Sequence, residues 1–169
     1  MAPSKIRFDG NGYLQPTESI ELDIRLFEKY FVQDFPNSTQ RKILFKNYLE
    51  YIHRFEKEVF PHFEQWIDGS FVSQKENPND IDVVTFLDYK IFELRGNEII
   101  SQFLSFSLEE KFLDAYIVTQ YPDNHPNFKL FENQKREWSK RFSSDRTGKN
   151  LKGFIKIIFP QKNSSHGKQ

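Results

Sequence analysis

Asp80 and Asp82 stand two residues apart at the head of a run rich in isoleucine and valine. On a strand, residues i and i+2 project from one face. The two carboxylates therefore lie side by side and repel unless a cation sits between them. Hard divalent ions such as Mg²⁺ take carboxylate oxygens and keep other positions for water and phosphate. Ile81 and Val83 point the other way, into a core, and anchor the polar face. Gly69-Ser70 closes the preceding apolar stretch. Glycine lets the backbone come close to a ligand, and a helix beginning at Ser70 turns free N–H groups toward an anion. A phosphate cradle beside a divalent-cation site is the minimum for phosphoryl transfer. Each half alone is common: Asp-x-Asp ends many solvated strands, and Gly-Ser is an ordinary turn. Their conjunction across a polar loop is the sharper signal.

A third acid is needed, and Asp114 is the choice. Asp88 shares the face of Asp80 and Asp82 but lies six residues beyond Asp82, about 20 Å away at roughly 3.3 Å per residue. Glu93 falls in a predicted loop, and Asp123 in a proline-rich one. The connection from Asp88 to Asp114 is long and contains a predicted helix, which favours a parallel crossover. Parallel neighbours set strand starts side by side, so Asp114 is expected beside Asp80 and Asp82. Leu113, Ala115 and Ile117 then form the opposite, apolar face.

The elements that position these residues follow from periodicity. Ile20, Ile24, Phe27 and Phe31 predict a helix over 18–33. Asn37 and Ser38 offer caps for a second, from about Thr39 to Val59, that buries Ile43, Leu44, Tyr48, Leu49, Ile52, Phe55 and Val59. Alternation then predicts a strand over 63–68 that stops at Gly69, a turn and short helix over 70–75, and a buried strand over 80–87. Gly96-Asn97 reads as a break before a helix over 98–110. A strand over 112–121, a helix over 128–142, a turn over 145–149 and a strand over 153–159 complete the pattern. Strand–helix alternation after a two-helix prelude predicts a mixed α/β domain over 1–162, with a flexible tail over 163–169.

Composition sets bounds. The chain has 169 residues, 19 of them phenylalanine, enough for one core. Lys+Arg and Asp+Glu both number 24, so net charge gives no global pull toward nucleic acid or an anionic membrane. The absence of cysteine excludes disulfides, zinc–thiolate sites and thiol chemistry. No apolar run is long enough to span a membrane and no signal peptide is evident, so a cytoplasmic protein without a membrane partner is expected. His53, His62, His125 and His166 lack metal-ligand spacing and read as surface or packing residues. Lys149 and Lys152, near Gly148 and Gly153, read as a solvated turn that could reach a phosphate.

The order Gly69-Ser70, polar loop, Asp80-Ile81-Asp82 resembles the signature of the nucleotidyltransferase superfamily. That superfamily includes DNA polymerase beta, aminoglycoside nucleotidyltransferases and small bacterial enzymes of toxin–antitoxin and phage-defence loci. The lead-in Phe8-Asp9-Gly10-Asn11-Gly12-Tyr13-Leu14-Gln15-Pro16 is similar to the start of small bacterial proteins assigned to it. So are Asp114-Ala115-Tyr116 with Tyr121-Pro122, Trp138 with Phe142, and Asp145-Arg146 with Lys152-Gly153. The resemblance implies a polymerase-beta-like fold and a nucleoside triphosphate donor. Its β,γ-phosphates would lie near Gly69 and Ser70, with Lys75 where many small members carry an arginine. It implies two Mg²⁺ ions (or Mn²⁺), about 3.5–4 Å apart, held by Asp80, Asp82 and Asp114. Asp114 would lie nearest the nucleophile and accept its proton. The acceptor is open: a protein hydroxyl, RNA, an oligonucleotide or a small molecule. The resemblance also accommodates a catalytically weak module that binds a cognate protein encoded nearby. A metal nuclease built on Asp80 with Glu93-Leu94-Arg95 is the remaining alternative.

Overall fold

Strand formers dominate the middle and end of the chain, and they meet in one sheet. The computed structural model describes residues 6–104 and 112–160. A ribbon of β1 (Arg7–Phe8) and β2 (Leu14–Gln15) precedes β3 (Ser19–Glu21). Then come α1 (Ile24–Glu28), extended by a wider turn over Lys29–Gln33, and α2 (Thr39–Glu58). The rest is β4 (Phe63–Asp68), β5 (Ile81–Asp88), α3 (Tyr89–Ile99), β6 (Leu113–Gln120), α4 (Phe128–Phe142) and β7 (Phe154–Phe159). The sheet runs β3-β7-β4-β5-β6. β3 is parallel to β7 and β5 to β6, while β4 is antiparallel to both of its neighbours. The architecture is mixed α/β. Among the described residues no helix is long and apolar enough to cross a membrane.

Alternation along the strands separates two cores. Phe63, Ile67, Ile81, Val83, Leu87, Leu113 and Ala115 face α1 and α2. Trp66, Val84, Phe86, Val118 and Phe154 face α4, where Phe131 and Phe142 meet them. Gln65 is buried on the first face because its amide is satisfied twice: Tyr48 Oη donates to Oε1 at 2.7 Å, and Nε2 donates to Thr85 Oγ1 at 2.9 Å.

Three expectations need correction. Residues 19–21 are strand, not helix. Ile20 sits opposite Ile155 of β7, and the Asp23 side chain caps the helix that starts only at Ile24, accepting from Leu26 N at 2.8 Å. A strand residue one helical turn before a real helix mimics its stripe. In α2, Ile43 and Leu49 are 42% and 40% exposed, whereas Arg41, Phe45 and Tyr51 are buried. The face is rotated because polar-tipped side chains find partners inside. Lastly, Gly96 does not break a helix. α3 begins straight after β5 and runs through Gly96, which Phe92 covers; a helical glycine costs only about 1 kcal/mol. The predicted helical residues 105–110, and the tail over 163–169, lie outside the described residues.

Arg41 fixes the loop that enters the cleft described below. Its guanidinium donates to five carbonyls: Phe31, Phe71, Ser73, Lys75 and Glu76. It also lies over the Phe35 ring at 3.8 Å. Burial lowers its pKa to about 10, still well above neutrality. Orphaning a buried acceptor costs roughly 1–3 kcal/mol. Arg41→Met should therefore destabilise the protein by at least about 3 kcal/mol, read by urea unfolding. A loss below about 1 kcal/mol would mean that these bonds are exchanged freely for water.

Candidate active site

The acids are brought together by strand register. Asp68, the last residue of β4, pairs with Asp82 of β5, and Asp82 pairs with Asp114 of β6. Directly paired residues share a face, about 4.8 Å apart from strand to strand. Three carboxylates thus form a row across one end of the sheet, on the side that α4 covers. Asp80, just before β5, lines the same cleft, as do Gly69, Ser70, Lys75, Asp82 and Asp114. All six residues singled out for catalysis, metal or nucleotide thus share one cavity of about 910 Å³. Asp88 lies at the far end of β5, beside a different and smaller pocket. Glu93 and Arg95 are on α3, where Arg95 pairs with Glu98, and neither lines the cleft.

Two partners were not legible in advance. Asp68 is buried and grips Lys152, whose Nζ contacts both carboxylate oxygens. The Lys152 side chain is only 11% exposed, so it is no solvated turn. The pair neutralises one acid of the row and leaves Asp82 and Asp114 facing each other. The other addition is Arg141, which reaches the cleft from the end of α4. No sequence spacing links β4 to a lysine 84 residues away.

Gly69 has a structural reason beyond a turn. Its φ of 81° and ψ of −164° belong to a region that only glycine populates readily. A Cβ there would stand 1.8 Å from Asp82 Oδ2. The missing side chain therefore makes space for Asp82. Ser70 opens only a single 3₁₀ turn, Ser70–Val72, rather than a longer helix. Its carbonyl accepts from Ser73 Oγ at 2.8 Å.

Burial raises the Asp82 pKa, and the charges of Asp80 and Asp114 raise it further; Lys152 and Arg141 oppose them. Burial also pushes Asp68 up to about 6, against the pull of Lys152 and the Gly69 N–H. Tyr116 Oη donates to Asp114 Oδ2 at 3.0 Å. This all-oxygen donor set suits a hard cation, and the mutual repulsion at Asp82 is what a cation would relieve. Among the described residues, however, no three acids or histidines form a closed metal cage. Ligation requires the side chains of Asp80, Asp82 and Asp114 to draw in.

The shifts predict a pH dependence for the metal-free protein. Both acids have folded values above their unfolded ones, so the native state binds more protons. Stability should therefore rise as pH falls from about 7 to about 5 in chelator, and Asp82→Asn should flatten that rise. Thermal melts across this range check it; stability that falls over the same interval would contradict the assignment.

A family model described as a family of unknown function (DUF6932) matches residues 6–158. No curated protein and no solved structure matches the chain.

Proposed function

The chain belongs to this family, and we propose that it is a metal-dependent nucleotidyltransferase with a polymerase-beta-like fold. The reaction moves a nucleoside monophosphate from a nucleoside triphosphate to a hydroxyl acceptor. The observation that carries the reading is the pairing of Asp82 with Asp114 across parallel strands, in the same cleft as Gly69 and Ser70. Asp80, Asp82 and Asp114 would hold divalent metal, two Mg²⁺ or Mn²⁺ ions. Metal bound there supplies charge neutralisation on the triphosphate and a more acidic acceptor hydroxyl.

The chain's own residues do the rest. Lys75, with the hydroxyl of Ser70, meets phosphate oxygens from the loop that Arg41 stiffens. Arg141 meets charge on the opposite wall. Asp114 keeps one oxygen on Tyr116 and offers the other to the acceptor proton. The acceptor oxygen then bonds to the α-phosphorus as the bond to pyrophosphate breaks. Lys152 holds Asp68 neutralised and keeps the row's charge on the two reacting acids.

The second reading is a catalytically weak binding module that engages a cognate protein. The Tyr116 hydroxyl on Asp114 and the open spacing of the acids favour it. One assay separates the two. The protein is incubated with each nucleoside triphosphate, Mg²⁺ and a cell-derived acceptor pool, and pyrophosphate is measured. Transfer predicts pyrophosphate with a labelled product, lost in chelator. A folded protein that releases none, yet retains a partner in pull-down, supports the binding module instead.

A further inference from the structure

The chain's charge is balanced in total and unbalanced in place. From Lys135 to Lys152 it carries seven lysines and arginines against two acids, Glu137 and Asp145. Both acids are already engaged. Glu137 pairs with Lys140 at 3.0 Å. Asp145 accepts from the Thr147 hydroxyl, the Asn150 amide and their loop N–H groups. Lys152 is turned inward to Asp68.

Arg136, Arg141, Arg146 and Lys149 are all exposed, and among the described residues none is part of an ion pair. Arg141 stands at the end of α4, and Arg146 and Lys149 lie in the turn that follows; Arg136, about 140° around the helix from Arg141, leaves another face. Arg141 and Arg146 also line the cleft, so this basic track runs into the acid row. Beside it, Tyr116 and Trp138 pack at 4.7 Å, both half-buried. The Arg141 guanidinium lies over both rings, at 5.3 and 4.9 Å.

We infer that this track binds the acceptor, and that the acceptor is a single-stranded oligonucleotide whose terminal hydroxyl reaches the acids. The inference rests on the nucleotidyl-transfer reading. Unpaired cations beside half-buried aromatic rings, continuous with a reaction centre, are the elements of single-strand binding: charge follows the backbone and rings take the bases. A small acceptor leaves Lys149, beyond the cleft's lining, without use. An anionic membrane calls for several apolar side chains to insert, and α4 with the turn after it strongly exposes only two large ones, Leu130 and Leu151.

The test is fluorescence anisotropy of short labelled RNA and DNA strands with the full chain, over a salt series. Three phosphate contacts, from Arg141, Arg146 and Lys149, predict a slope of log K against log salt of about −2.1. Arg146→Glu/Lys149→Glu should weaken binding at least tenfold and flatten the slope, with the fold intact by circular dichroism, whereas Arg136→Glu, on another face of α4, should change it little. Asp82→Asn should bind the strands at least as tightly as the parent. Strand binding that survives the double variant, no binding at low salt, or equal binding to phosphatidylserine vesicles would overturn the inference. Pyrophosphate release that needs only a protein or small-molecule acceptor would overturn it too, and would leave nucleotidyl transfer standing. Strand binding without pyrophosphate release would sink nucleotidyl transfer alone and leave the track as a strand-binding surface.

Discussion

Asp82→Asn should lower nucleotidyl transfer at least about a thousandfold, the scale of losing several kcal/mol of metal-assisted charge stabilisation, while the fold holds or gains stability. Most losses of a half-buried polar side chain go the other way. Here the carboxylate is penalised by burial and by Asp80 and Asp114, and its neighbour in register, Asp114, points from the same face. An amide of the same shape removes the repulsion and can donate to a neighbouring oxygen. Melting in chelator near neutral pH should give a midpoint at or above the parent's. Addition of Mg²⁺ should stabilise the parent, by mass action on the folded state, and leave the variant unmoved. A folded Asp82→Asn protein with parental, metal-dependent turnover would remove Asp82 from the chemistry.

Gly69→Ala should lose both stability and nucleotide binding, through one collision. The backbone region alone costs of order 1–3 kcal/mol for a residue with a Cβ. The added carbon also stands 1.8 Å from Asp82 Oδ2, so the acid must rotate away from its place beside Asp114. A double-variant cycle separates the two costs. In Gly69→Ala/Asp82→Ala the clash is gone and only backbone strain remains, so part of the lost stability should return while activity stays absent. If Gly69→Ala unfolds as the parent does and binds nucleotide equally in calorimetry, Gly69 is only a turn.

The end of the sheet that carries the acid row was legible because its signals are local. Asp80 and Asp82 share a face by strand geometry. The length of the connection between Asp88 and Asp114 is enough to favour a parallel crossover, and the register delivers Asp114 opposite Asp82. What escaped depends on distant partners. Asp68 reads as the polar end of a strand until Lys152, 84 residues on, is folded against it. Arg41 reads as a solvated helix residue, because nothing in its neighbours announces five carbonyls from the preceding turn and a later loop. The helix read over 18–33 failed because Ile20 keeps helical spacing from Ile24 while pairing with β7 as a strand. Gly69 was marked as a place of close approach, and the structure adds a reason local sequence does not carry: its missing side chain makes room for Asp82.

The central claim is that Asp80, Asp82 and Asp114 act together on a metal-bound nucleotide. A crystal structure with Mn²⁺ and a non-hydrolysable nucleoside triphosphate tests it most directly, since anomalous scattering locates the ion independently of the carboxylates. The account predicts an ion bridging Asp82 and Asp114, phosphates against Gly69 and Ser70, and all three carboxylates within about 6 Å of one another, within reach of shared metal. An ion elsewhere, or an Asp114 carboxylate farther than that from Asp80 and Asp82, would contradict it.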